Sequence, residues 1–138
     1  MLKRNLVILS TLAIATDQFF KFFSQIHGFS HPNPGLIGGL HLINSLVINL
    51  GGLIFIGLLL INNKSYYQSI AYLLMFLGGL SNLFDRVLYR NVIDYISLFN
   101  LSYYNLADIY LVCGAIILVI SLFKQLIKPV NEKQRAKI

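Results

Sequence analysis

Four of the five acidic residues of this chain, Asp17, Asp85, Asp94 and Asp108, lie inside or at the ends of long apolar stretches. That placement constrains the fold more than any other feature. An ionised carboxylate at the centre of a membrane helix costs about 2.5–3.5 kcal/mol, so each such residue is a functional candidate by default. Whatever the chain folds into must bring partners to these acids.

With 57% hydrophobic residues, a mean hydropathy of +0.71 and 12% charged residues, the chain reads as an integral membrane protein. A span needs about 20 apolar residues, and the 138 residues hold four spans, over about 5–23, 50–62, 66–88 and 106–123, as one domain over 1–138. Lys3 and Arg4 precede the first run, Lys64 sits in the middle polar break, and Lys124, Lys128, Lys133, Arg135 and Lys137 follow the last. The positive-inside rule then puts both termini in the cytoplasm, with 124–138 a basic tail at anionic membrane lipid. The net charge of +6 does not imply nucleic acid, because exposed aromatics are not interleaved with the basic residues.

The first run begins as a signal peptide does, with Ala13-Ile14-Ala15 resembling a cleavage site. Apolar character resumes through Phe19, Phe20, Phe22 and Phe23, which predicts an uncleaved first helix. The stretch from Ser24 to Leu46, with His27, Gly28, His31, Pro32, Asn33 and Pro34, reads as an outer loop. The residues from Leu40 to Asn49, with imperfect alternation, read as one or two short strands. The expected architecture is therefore all-α, a four-transmembrane-helix bundle with a small extracytoplasmic β-like extension between helices 1 and 2. His27 and His31 have helical metal-ligand spacing, but the prolines break that helix, and no metal is expected. Cys113, the lone cysteine, reads as a buried inert thiol.

On the third helix Gly78, Asn82 and Arg86 recur every four residues and share one face, with Asp85 three residues after Asn82. The glycines Gly78 and Gly79 admit a close neighbour. Asp94 lies among apolar and aromatic neighbours, and Asn105 and Asp108 open the fourth helix one turn apart. Two acids sharing one proton can activate water and protonate a leaving amine without a cofactor. A proton or cation pathway uses the same residue types. On residue chemistry alone the two readings stand level.

Five segments resemble the motifs of signal peptidase II, the membrane aspartic peptidase of bacterial lipoprotein processing. Asp17-Gln18-Phe19-Phe20-Lys21 resembles DQxxK, and Asn49-Leu50-Gly51 resembles N-x-G. Gly78 through Arg86 resembles GGxxGNxxDR, Val92-Ile93-Asp94-Tyr95-Ile96 resembles V-x-D-F-I, and Tyr104-Asn105-Leu106-Ala107-Asp108 resembles FNxAD. The resemblance implies that Asp94 and Asp108 are the catalytic dyad and that Asn49, Asn82, Arg86 and Asn105 bind substrate. Asp17, Lys21, Asp85 and Gly51 would support the structure around them. It further implies an endopeptidase without metal or cofactor, acting as a monomer in the bacterial cytoplasmic (inner) membrane. Its partners would be lipid-modified prolipoproteins, cut just before the diacylglycerylated Cys near the outer face.

The sequence departs from the family pattern at several points. Leu53 and Ile54 replace the usual Ala-Phe after N-x-G, and Ser81 stands where a Gly usually precedes the motif's Asn. The interval from Asn49 to Asn82 is short for the family, leaving no room for the outer amphipathic helix that covers the site, and the interval from Asp94 to Asp108 is also short. A divergent paralogue with a restricted substrate set is the corresponding alternative, beside proton or cation conduction.

Overall fold

A computed structural model describes residues 2–34, 42–99 and 101–127. It contains four helices, α1 (Leu2–Ile26), α2 (Leu42–Asn62), α3 (Tyr66–Tyr89) and α4 (Leu106–Leu126). Four short strands lie in the connections: β1 (His31–Asn33) after α1, then β2 (Val92–Asp94), β3 (Ile96–Leu98) and β4 (Ser102–Tyr104) between α3 and α4. Among the described residues three helices are long and apolar enough to cross a membrane, over Ser45–Asn62, Tyr66–Tyr89 and Leu106–Leu126. The fourth helix, α1, carries Asp17 and Lys21 and is not among them.

The distribution of residues is the reverse of a water-soluble core. Asp17, Lys21, Ser24, Ser45, Ser81, Asn82, Asp85, Arg86, Asp94 and Asn105 are buried, while Leu9, Phe55, Ile61, Val112, Ile116 and Phe123 are exposed. Lipid is as apolar as leucine, so packing in a membrane relies on close contact and internal hydrogen bonds. The close contact is built by α3 against α4. A Cβ at Gly78 would run into the Ala107 carbonyl oxygen, and one at Gly114 would lie 2.7 Å from the Ala71 carbonyl and 2.6 Å from Met75 Cγ. These glycines sit on opposite helices, so each backbone sinks into the other. Gly79 turns toward α2, where an added Cβ would meet Leu53 Cδ2 at 3.1 Å.

Three expectations are corrected. The strands expected over 40–49 are replaced, over the described part, by helix: residues 42–49 form the first two turns of α2, and Leu40 and His41 lie outside the described residues. Backbone at membrane depth must satisfy its own hydrogen bonds, which a helix does and an isolated alternating segment does not. With those turns α2 reaches 21 residues, rather than the short helix over 50–62. Among the described residues the expected β-extension between the first two helices is represented by β1, which pairs antiparallel with β2 from beyond α3. Cys113 is exposed instead of buried, because the inward face of α4 follows Ala107, Gly114 and Ser121 at seven-residue spacing and Cys113, one residue before Gly114, is turned about 100° from it.

The other helices extend their expected bounds by a few residues, α1 to Leu2–Ile26, α3 to Tyr66–Tyr89 and α4 to Leu106–Leu126. Gly28, at φ +73°, ends α1 in the left-handed conformation that glycine adopts freely. The basic tail beyond Ile127, and with it Lys128, Lys133, Arg135 and Lys137, lies outside the described residues.

Candidate active site

The polar cluster is assembled at the end of the bundle where α1 and α3 finish and α4 begins. At an α-helix N-terminus the first backbone N–H groups have no partner within the helix. In α4 each finds one. Leu106 N–H donates to the Tyr95 hydroxyl (3.2 Å), Ala107 N–H to Asp17 Oδ1 (3.1 Å) and Asp108 N–H to Asn105 Oδ1 (2.9 Å). Asn105 and Asp108 form a capping box, with Asn105 N–H donating back to Asp108 Oδ2 at 3.2 Å. The placement of Asp108 is therefore set by the helix cap itself.

Lys21 is the fixed cation beneath this cap. Its Nζ lies 2.7 Å from Asp17 Oδ2 and 2.8 Å from Asp85 Oδ2, and donates to Asn82 Oδ1 at 3.0 Å. Asp17 also accepts from Ser81 Oγ at 2.7 Å, and Asp85 accepts from Ile93 N–H at 3.1 Å and Gln18 Nε2 at 2.9 Å. These two acids thus tie α1 to α3, to β2 and to the start of α4.

Above that layer a chain of amides joins Asp94 to Asp108. Asn105 Nδ2 donates to Asp94 Oδ1 at 2.6 Å and to Asn82 Oδ1 at 3.2 Å, and Asn82 Nδ2 donates to Asp108 Oδ1 at 2.9 Å. Arg86 Nη1 donates to the Asn82 carbonyl at 3.1 Å. With the Asn49 amide turned so that its nitrogen donates to the Gly79 carbonyl (3.2 Å), its oxygen accepts from Arg86 Nη1 at 3.1 Å. Asp94, in β2, is 2% exposed, and burial lifts its pKa to about 6; the Asn33 hydrogen bond opposes that rise and the Asp108 charge adds to it.

The structure brings Asp94, Asp108, Asn82, Asn105, Arg86 and Asn49 into one connected network, with Asp17, Lys21 and Asp85 packed beneath it. Gly51 stands apart: an added Cβ there meets nothing within 4 Å, so packing within the described chain does not require glycine at this position. Sequence reasoning missed the links made by Asn33, whose Nδ2 donates to Asp94 Oδ2 at 3.0 Å, and by the hydroxyl of Ser81. Ser81 also accepts from Gln18 Nε2 at 2.9 Å, so its hydroxyl both donates and accepts within the cluster. The two histidines engage different aromatic rings, His27 on Phe23 and His31 on Tyr103. Among the described residues no group of three or more His, Cys, Asp or Glu could hold a metal ion.

A family model described as signal peptidase (SPase) II matches residues 9–124. The chain belongs to the signal peptidase II family. A lipoprotein signal peptidase of Streptococcus pyogenes serotype M2 (strain MGAS10270) is 33% identical over 147 aligned positions, covering 90% of this chain and 97% of that protein. Two solved structures titled as bacterial membrane enzymes share the fold. One superposes with a TM-score of 0.82 at 24% identity, covering 91% of each chain, and the other with 0.73 at 25% identity, covering 90% of this chain and 93% of its own. Membership makes the protein a peptidase of the bacterial membrane with several passes. It also accounts for a polar interior surrounded by apolar surface.

Proposed function

We propose that the protein is an aspartic endopeptidase that removes signal peptides from diacylglyceryl-modified prolipoproteins, cutting just before the lipidated Cys. The observation that carries this reading is the Asp94–Asn105–Asn82–Asp108 relay, which couples two carboxyl groups at the rim of a membrane bundle. One carboxylate takes a proton from water as the water attacks the scissile carbonyl, and the protonated partner delivers a proton to the departing amine. Asp94, lifted to about 6, exchanges its proton near neutral pH. Asn49, Asn82, Arg86 and Asn105 hold the substrate backbone beside the dyad, while Asp17, Lys21 and Asp85 keep the floor rigid. Every group named comes from one chain, so a monomer suffices, and the chemistry calls for no cofactor.

Purified protein should cleave a diacylglycerylated prolipoprotein and leave the unlipidated precursor intact. Equal cleavage of the two forms would count against lipid-dependent recognition. A proton-conducting role is disfavoured by the inner half of α4, where Ala115 to Ile120 is entirely apolar.

The orientation follows from charge. Ser65, beside Lys64, and Lys124 line one cavity at the opposite end of the bundle from the dyad. With this basic end in the cytoplasm, all four helices span, both termini are cytoplasmic and the dyad lies near the outer face. Reporter domains fused at Lys64 and at the C-terminus should both report cytoplasm; an external Lys64 would reverse the orientation.

A further inference from the structure

We propose that the cavity at the basic end of the bundle, between the start of α3 and the last turns of α4, seats the phosphate of an anionic phospholipid from the cytoplasmic leaflet. The choice of leaflet rests on the orientation argued above; the seat itself rests on packing. Along α3 and α4 the contacts step by seven residues in opposite directions, with Gly78 against Ala107 and Ala71 against Gly114. The next step reaches Ser121 on α4, but on α3 it reaches Lys64, just ahead of the first helical residue, Tyr66. There a cavity of about 440 Å³ opens, bordered by Ser65, Tyr67, Ser121 and Lys124. Small-molecule sites typically measure about 300–1,000 Å³.

The cavity is lined by polar groups that the chain itself leaves unused. Ser121 is 8% exposed and borders the cavity, yet its hydroxyl meets no hydrogen-bond partner among the described residues. Ser65 is the N-cap residue of α3, but its side chain makes no cap hydrogen bond. Its carbonyl oxygen is held by Asn63 Nδ2 at 2.8 Å and by Ser69 N–H at 2.9 Å, which fixes the turn and leaves the hydroxyl free. The first N–H groups of α3 therefore lack the acceptor that an N-cap serine usually supplies, and such groups favour an anion. Lys124, in the last turn of α4, forms no ion pair among the described residues, because Asp17, Asp85, Asp94 and Asp108 are gathered at the other end of the bundle.

The lining is graded in the same order as a phospholipid. From Ile117 through Ile120 and Ser121 to Lys124, one face of α4 passes from apolar to polar to charged as it nears the helix end. The isoleucines suit the first part of an acyl chain, and the two hydroxyls and Lys124 suit the phosphate. The cytoplasmic end of a signal peptide is itself basic and would be repelled here. The seat also differs from the attraction of the tail beyond Ile127, which acts on the anionic leaflet as a whole.

Native mass spectrometry of the full chain in detergent, titrated with phosphatidylglycerol or phosphatidylcholine, reads the seat directly. One phosphatidylglycerol is expected to be retained about tenfold more tightly than phosphatidylcholine, whose choline would face Lys124. Lys124→Gln should remove that preference. So should Ser121→Leu, which fills the seat while leaving every charge in place. A variant with Lys128, Lys133, Arg135 and Lys137 all replaced by Gln should keep it. Phosphatidylglycerol should likewise raise Tm in the wild type and not in Lys124→Gln. Should Ser121→Leu fail to fold, Lys124→Gln, at an exposed position, carries the comparison. Four results would each overturn the proposal while leaving the peptidase reading intact: equal retention of the two lipids, a preference lost in the tail variant but kept in Lys124→Gln, displacement of the lipid by inorganic phosphate, or a lipid-free dimer.

Discussion

Asp94→Asn and Asp108→Asn are each expected to reduce cleavage by on the order of a thousandfold or more, with folding and membrane insertion preserved. Asparagine keeps the size of aspartate and can turn its one amide oxygen toward one of the two donors that each carboxylate meets, giving up the hydrogen bond to Asn33 Nδ2 at position 94 or to the Asn105 N–H at position 108. At position 94 that oxygen can still meet Asn105 Nδ2, now 2.6 Å from Asp94, and at position 108 it can still meet Asn82 Nδ2, now 2.9 Å from Asp108. Beyond that one hydrogen bond, what is lost is the exchangeable proton. Asp17→Asn and Asp85→Asn provide the contrast, because those acids face Lys21 beneath the relay. They should weaken the fold while leaving measurable turnover. Initial rates on a lipidated precursor, alongside thermal unfolding in detergent, separate the two classes.

Lys21→Met should destabilise the protein by about 3–5 kcal/mol, the usual consequence of removing one partner from a buried ion pair. Lys21 is 2% exposed and its two carboxylate partners are fully buried, so water cannot replace the ammonium group. The methionine fills the volume of the stem, and the expected loss is therefore electrostatic rather than a cavity effect. Adding Asp17→Asn and Asp85→Asn to Lys21→Met removes the stranded charges and should recover part of the loss. A change below about 1 kcal/mol in Lys21→Met, as for an exposed pair, would show that solvent or lipid headgroups reach this layer.

The parts of the site that sequence made legible are those built by local periodicity. Gly78, Asn82 and Arg86 repeat every four residues, and Asn105 and Asp108 are separated by the spacing of a capping box, so one helix geometry determines each pair. The same logic placed Gly78 at a close helix contact. Contacts made by distant segments were not legible. Nothing local to Pro32-Asn33-Pro34 indicates that it pairs with residues 92–94, and the breakers there read only as a loop. The start of α2 reads as strand because an imperfect alternation over 40–49 resembles one unless the demand of the membrane for internal hydrogen bonds is imposed on it. Cys113 was misplaced because an apolar run does not reveal its inward face; Ala107, Gly114 and Ser121 do.

The central claim is that Asp94 and Asp108 act as one unit, and the double substitution tests it most directly. The value of kcat/KM for cleavage of a diacylglycerylated prolipoprotein should be compared among wild type, Asp94→Asn, Asp108→Asn and the double variant. If the pair shares one proton, either replacement disables both, and the double variant should be no slower than the worse single variant. Losses that multiply in the double variant, or substantial cleavage that survives in it, would contradict the account.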